Sequence, residues 1–373
     1  MNKNILVITG GSYIAGTEIV TLDVLVGLKN LGWHLYCIIS GWSNNCFASR
    51  LDKLGIPYST FKLGWYYVKK VTWSVDSLIH YPQAVIKFLY LKNKHPHKFI
   101  YLTSYRQLIL LYPFLKKNII YHVHDANSFS RQSTFFLKIA DKKILKYIAV
   151  SNFIKNDLLK CGIPFSKIEV IYNSVNPEQF NTFNKKVFDP NKIVLGIVGQ
   201  VIPRKGHEEV IKALYLLINK GYQNVILHIV GSGDIKFIKS LKETIINYKI
   251  ENHVIWKGFL EEKEDIYRNI DILLAPTRNE EPFGMIAIEA NMFSIPVIAS
   301  KRGGLMEIIE NNYNGYLVED EVDNESDLFN KIEILLKNTG LIATFGFNGR
   351  KKVIEQFSTA EMVNKLSACF NNL

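Results

Sequence analysis

Four cysteines in 373 residues, Cys37, Cys46, Cys161 and Cys369, form no C-x-x-C pair and no zinc spacing. A disulfide-stapled domain and a zinc module are thereby excluded, and a reduced compartment is the simplest reading. Long apolar runs are missing as well. The best stretch, 108–115, is broken by Pro113, and the apolar run before Gly10 is too short for a secretory leader. These absences predict a cytoplasmic protein, soluble or peripheral on the inner face of the cell membrane. Also absent are the common nucleotide signatures. No D-x-D pair occurs to hold a diphosphate through a metal, and no G-x-x-x-x-G-K-[S/T] loop occurs. A dinucleotide reader needs G-x-G-x-x-G. Here Gly10 and Gly11 are adjacent, and Lys236 stands where Gly231-Ser232-Gly233 would want a third glycine.

What is present is a large apolar fraction, 48%, on a chain long enough for two domains. Net charge is +11 and unevenly spread: residues 1–186 hold 24 Lys and Arg against 9 Asp and Glu. A basic half suggests an acidic partner such as a phospholipid surface, a nucleic acid or an anionic acceptor. A lysine-rich genome would give the same excess.

Apolar runs at 4–9, 35–39, 99–102, 119–123, 147–150 and 168–172 read as buried parallel strands. After a polar stretch at 184–191 the pattern restarts, with strands at 192–198, 225–230, 254–256, 272–275, 297–299 and 316–318 and helical segments between them. The alternation predicts two doubly wound α/β domains, 1–186 and 187–355, with a closing helix in 356–373 that packs back on the first domain. Ligands of such sheets bind beyond the carboxyl ends of strands, so a cleft between two domains is the default site.

Three segments carry chemistry. Gly199-Gln200-Val201-Ile202-Pro203-Arg204-Lys205-Gly206 puts adjacent cations at a strand end before a helix. Arg204 can fork two phosphate oxygens while Lys205 acts as a point charge. Glu281-Pro282-Phe283-Gly284-Met285 through Glu289 sets two carboxylates either side of a helix start, whose free N–H groups attract phosphate. Carboxylates there suit hydroxyls, so a nucleotide-linked sugar is the ligand expected. Tyr121-His122-Val123-His124-Asp125 brings two histidines to one face of a strand end. His124 can donate to a sugar hydroxyl or polarise a departing group, or it can be a structural partner of Asp125.

Together these motifs resemble the retaining glycosyltransferases of family 4, which have the GT-B fold. Further matches are Val230-Gly231-Ser232-Gly233, Gly258-Phe259-Leu260, and Ala149-Val150-Ser151 leading to Ile171-Tyr172-Asn173. The resemblance implies a fold of two Rossmann-like domains facing a central cleft, acceptor on the first and nucleotide-sugar donor on the second. It implies that Phe283, Gly284 and Met285 open a helix onto the donor. Glu281 would bond donor-sugar hydroxyls and Glu289 the ribose. It gives Arg204, Lys205 and Gly16 to the diphosphate, the base to Gly231, Gly258 and Leu260, and the active-site histidine to His124. The donor is UDP- or GDP-linked, and no cofactor or metal is expected. Retention is implied by the family alone. Two departures stand out. Gln200 occupies a frequent arginine position, and Ser294 a frequent glycine position, where the expected effect is on packing only.

Trp65-Tyr66-Tyr67-Val68-Lys69-Lys70-Val71-Thr72-Trp73 is not explained by a donor. Aromatics interleaved with lysines suit a lipid-linked acceptor at an acidic membrane surface. The same residues could stack a sugar ring, bind single-stranded RNA or form a half-buried loop. Expected partners are therefore a nucleotide-sugar donor, a sugar, lipid-linked or glycan acceptor, and an acidic membrane, with nucleic acid ranked last. The competing readings are a nucleotide-sugar epimerase of the same shape, and a non-catalytic nucleotide-sugar-binding or membrane-docking subunit.

Overall fold

Every residue of Phe99–Leu102, Ile119–Val123, Ile193–Val198 and Ile272–Ala275 is buried, as strands covered on both faces must be. The computed structural model describes residues 3–10, 16–42, 45–64, 71–126, 130–180, 188–319 and 324–373. Contacts divide the chain into two units, Met1–Asn173 with Thr359–Leu373, and Ser174–Ser358. The division falls upstream of the expected 186/187 boundary.

The first unit holds seven strands: β1 (Asn4–Ile8), β2 (His34–Ser40), β3 (Tyr58–Phe61), β4 (Phe99–Leu102), β5 (Ile119–Val123), β6 (Ile144–Ala149) and β7 (Ile168–Val170). They form one parallel sheet in the order β3-β2-β1-β4-β5-β6-β7. Winding reverses between β1 and β4, where Ile5 faces Phe99 and Ile8 faces Leu102. A ligand crevice forms at such a reversal. The edge strand β3 escaped the sequence reading because Tyr-Ser-Thr-Phe is short and half polar.

The second unit repeats the plan with β8 (Ile193–Val198), β9 (Val225–Val230), β10 (Val254–Gly258), β11 (Ile272–Ala275), β12 (Val297–Ser300) and β13 (Gly315–Val318). Their order is β10-β9-β8-β11-β12-β13, all parallel, with the reversal between β8 and β11. Helix His207–Asn219 covers this sheet with Val210, Ile211, Leu214 and Leu217, all fully buried in the unit's core.

The last helix, Thr359–Asn371, belongs to the first unit and lies against helix Gly16–Asn30. Gly27 allows the approach: a Cβ there would stand 2.2 Å from Val363. At its far end Phe370 is fully buried among Trp33, Phe99 and Tyr101, with ring centroids 5.6 to 6.1 Å away.

Helix Val71–Lys94, 24 residues long, was not read from the sequence. Pro82 inside it and the aromatic–lysine run before it hide its periodicity. Trp73 stands exposed in its first turn. Trp65, Tyr66, Tyr67, Lys69 and Lys70 lie outside the described residues.

Candidate functional site

In the second unit three strands end on glycines that lock together. Gly199 follows β8, Gly231 follows β9 and Gly258 ends β10, with φ of 132°, 141° and 67°. The Gly231 N–H donates to the Gly258 carbonyl at 2.7 Å, and a Cβ on Gly231 would stand 1.8 Å from the Gly199 oxygen. Only glycine permits both the backbone conformation and that approach. Around Gly258 a Cβ would meet nothing within 4 Å, so this corner is open, with Leu260 half-buried just beyond it.

The basic loop is held from β11. The Arg204 carbonyl accepts from the Arg278 N–H at 2.8 Å and from the Thr277 hydroxyl at 3.1 Å. Gly206 closes the loop at φ 77°, where a Cβ would stand 1.9 Å from the Pro276 oxygen. Arg204 is exposed. Lys205 turns inward and donates to Glu281 Oε2 at 2.7 Å, with side-chain exposures of 18% and 21%. The Glu281 backbone is fixed in turn. Its carbonyl accepts from the Gly304 N–H at 2.7 Å, and a Cβ on Gly303 would stand 2.2 Å from the same oxygen.

Helix Met285–Met292 starts four residues past Glu281. Its N-cap is Gly284, at φ 113°, and makes no side-chain cap bond; the first turn carries no acid. The helix's own first turn therefore sets no carboxylate against its free N–H groups. Phe283 is buried beneath and meets Phe357 at 5.7 Å. Lys205, Thr277, Glu281, Gly284 and Ile286 share a small cavity of about 10 Å³.

Glu289, one turn further on, is held on both oxygens. The Tyr267 hydroxyl donates to Oε2 at 2.9 Å and the Lys263 ammonium lies 3.1 Å from Oε1. Burial and the Glu289 charge push the Tyr267 phenol well above its usual range, so it remains a donor. A carboxylate has about four lone-pair sites, which leaves room for further hydroxyls. Tyr267, Lys263 and Thr277 were missed in the sequence, since no motif spacing links them to the carboxylates they serve. His207 was missed too. It is buried behind Lys205, neither ring nitrogen has a partner among the described residues, and burial plus the Lys205 charge lowers its pKa to about 4.

In the first unit a cavity of about 380 Å³ opens at the carboxyl ends of the central strands, lined by Glu18, Thr103, Arg106, His124, Asp125 and their neighbours. Helix Gly16–Asn30 begins beside it at Gly16; residues 11–15 lie outside the described set. His124 directly follows β5 and is buried, with no partner for Nε2 among the described residues. Its ring lies 4.1 Å from that of His122, which Tyr101 hydrogen-bonds at Nδ1. Burial lowers the His124 pKa to about 3, so the ring is neutral at ordinary pH. It can donate or accept one hydrogen bond without bringing charge.

Ser294 corrects one expectation. Its φ is +55°, in the left-handed region, and that backbone conformation, more than packing, is what a glycine would relieve. Among the described residues no group of three His, Cys, Asp or Glu could hold a metal ion.

Two family models divide the chain. The one described as Glycosyltransferase Family 4 matches residues 14–179, and the one described as Glycosyl transferases group 1 matches residues 178–352. The chain is 29% identical over 239 residues to the capsular polysaccharide biosynthesis glycosyltransferase CapM of Staphylococcus aureus, covering 60% of this chain and 60% of CapM. It is 29% identical to the uncharacterized glycosyltransferase MJ1178 of Methanocaldococcus jannaschii, covering 97% of this chain and 95% of that one. Among solved structures, Anabaena HepE in complex with UDP and glucose superposes with a TM-score of 0.80 at 20% identity, over 99% of each chain. The chain thus spans three-fifths of the length of CapM and nearly all of MJ1178. Its two parallel-sheet units form a GT-B fold.

Proposed function

We propose that this chain, whose two halves match glycosyltransferase models, moves a sugar from a nucleotide-sugar donor to an acceptor hydroxyl in surface polysaccharide or glycolipid synthesis. The second unit holds the donor and the cavity of the first takes the acceptor. The observation that carries this reading is the Lys205–Glu281 pair beside the uncapped start of helix Met285–Met292. An ammonium has three donors, so Lys205 can keep Glu281 and still meet a diphosphate oxygen. Exposed Arg204 adds a second cation, and N–H groups at the helix start add a third source of positive potential.

As the bond to the anomeric carbon breaks, negative charge grows on the departing diphosphate. Preorganised donors aimed at that charge are usually the largest catalytic effect. No metal is required where these cations neutralise the diphosphate. Glu281 bonds hydroxyls of the transferred sugar, and Glu289, held by Tyr267 and Lys263, bonds the ribose. Gly231, Gly258 and Leu260 border the base, which UDP supplies in HepE. Neutral His124 bonds a hydroxyl near the reacting carbon. Retention of configuration belongs to the proposal as well, and rests on the family resemblance of the motifs alone.

Melting curves with UDP, GDP and their sugar conjugates test this reading. A specific nucleotide at a hundred times its Kd stabilises the native form by about 2.7 kcal/mol. Radiolabel transfer from the same donor to a glycan acceptor is then expected. A chain whose melting ignores every nucleotide sugar has no donor site.

A further inference from the structure

Helix Val71–Lys94 presents two unlike faces. One is buried on the first unit through Ala84, Val85, Phe88 and Leu91. The other carries Val75, Leu78, Ile79, Pro82, Ile86 and Tyr90, all exposed. Ile79 and Ile86 are each 68% exposed and Tyr90 59%. Their spacing keeps them within one stripe about 120° wide. From Val75 to Tyr90 the stripe runs about 22 Å at 1.5 Å per residue. Single exposed apolar side chains are normal, but a continuous apolar stripe of this length marks an interaction surface.

Its surroundings are cationic. Lys87 and Lys94 are exposed along one margin, and Lys94 lies over the Tyr90 ring at 5.6 Å. At the helix end Lys92 donates to the Phe114 carbonyl and Lys143 to the Tyr112 carbonyl, both at 2.7 Å. Lys116 and Lys143 are close enough for their charges to push the Lys92 pKa down, on top of burial. Over residues 62–98 the sequence has seven lysines and one acid, Asp76, whose carboxylate lies 3.1 Å from His80.

We propose that the outer face of helix Val71–Lys94 docks on an anionic lipid bilayer, its apolar stripe among the acyl chains and its lysines at headgroup level. An apolar face rimmed by lysine stems is what an interfacial helix presents. A second copy of the chain would bring the same lysines against one another, which charge repulsion opposes. Among the described residues no helix is long and apolar enough to cross a membrane, and this one has its opposite face committed to the unit's core. The contact is therefore superficial and falls with salt.

Flotation of the full chain with vesicles is the test. Binding is expected to phosphatidylcholine vesicles containing phosphatidylglycerol and to be weak with phosphatidylcholine alone. Ile79→Asp with Ile86→Asp should lower the bound fraction about tenfold, as should Lys87→Glu with Lys94→Glu. All four side chains are exposed, so unchanged melting shows that the variants are folded. Absence of binding to the anionic vesicles, wild-type binding by the aspartate variant, or equal binding to neutral vesicles overturns the proposal. So does sedimentation showing a lipid-free dimer that the aspartate variant dissolves.

Discussion

Lys205 and Glu281 meet at 2.7 Å although they come from different loops, one after β8 and one after β11. Neither can be replaced without leaving the other's charge largely shielded and alone. Lys205→Ala is expected to cut transfer by roughly 10²–10³-fold, the range for loss of one preorganised donor to a developing charge. The chain should still fold, which circular dichroism reports. A turnover number like that of the wild type would remove Lys205 from the diphosphate.

Tyr267→Phe deletes one hydrogen bond to Glu289 and almost no volume. A net loss of about 1 kcal/mol corresponds to a roughly fivefold weaker grip on the donor. The expected signature is a raised donor KM with kcat nearly unchanged. An equal fall in kcat with KM constant would contradict a positioning role.

Gly231→Ala should disturb the locked glycines directly. A side chain at φ 141° is strained, and its Cβ would land 1.8 Å from the Gly199 oxygen. The strain alone is on the order of 1–3 kcal/mol, and the clash adds to it. A lower melting temperature together with weaker nucleotide binding is the outcome to look for. Gly221→Ala is the control, because that position also has positive φ but nothing within 4 Å of its Cβ. Equal effects of the two would place the damage in φ alone.

Acid should unfold this protein partly through its histidines. His122, His124 and His207 are buried with depressed pKa values, about 3 for His124 and about 4 for His207. Below the unfolded value of about 6.5 the unfolded chain binds protons that the folded chain refuses. Stability therefore falls as pH drops below about 6.5, by up to about 1.4 kcal/mol per pH unit for each such histidine, until its folded pKa is reached. His207→Gln should remove one such increment between about pH 6 and pH 4. Denaturant titrations across that range measure it, and an unaltered slope would mean that His207 is protonated in the fold. The same burial means that His124 contributes no inflection near pH 6.5 to the rate profile.

Much of the fold was legible because parallel strands buried on both faces announce themselves as uninterrupted runs such as Ile193–Val198. β3 and helix Val71–Lys94 were not legible for opposite reasons. The strand is too polar to stand out, whereas the helix carries apolar residues on its exposed face as well as on its buried one, so neither shows a clean period. Glu281, Gly284 and Glu289 could be picked out because one short stretch carries them. Tyr267, Lys263 and His207 could not, since their importance arises only when other loops fold beside them. For the glycines the sequence showed position but not need. The need is the nearness of another backbone, as at Gly206 and Gly303.

Phe370 ties helix Thr359–Asn371 to Trp33, Phe99 and Tyr101, more than 250 residues earlier in the chain. Synthesis from the ribosome must therefore leave the core beside the first sheet unfilled until residues 359–373 have been made. A fragment stopped at Asn173 would carry a greasy socket with no plug, and deleting Thr359–Leu373 would loosen the first unit.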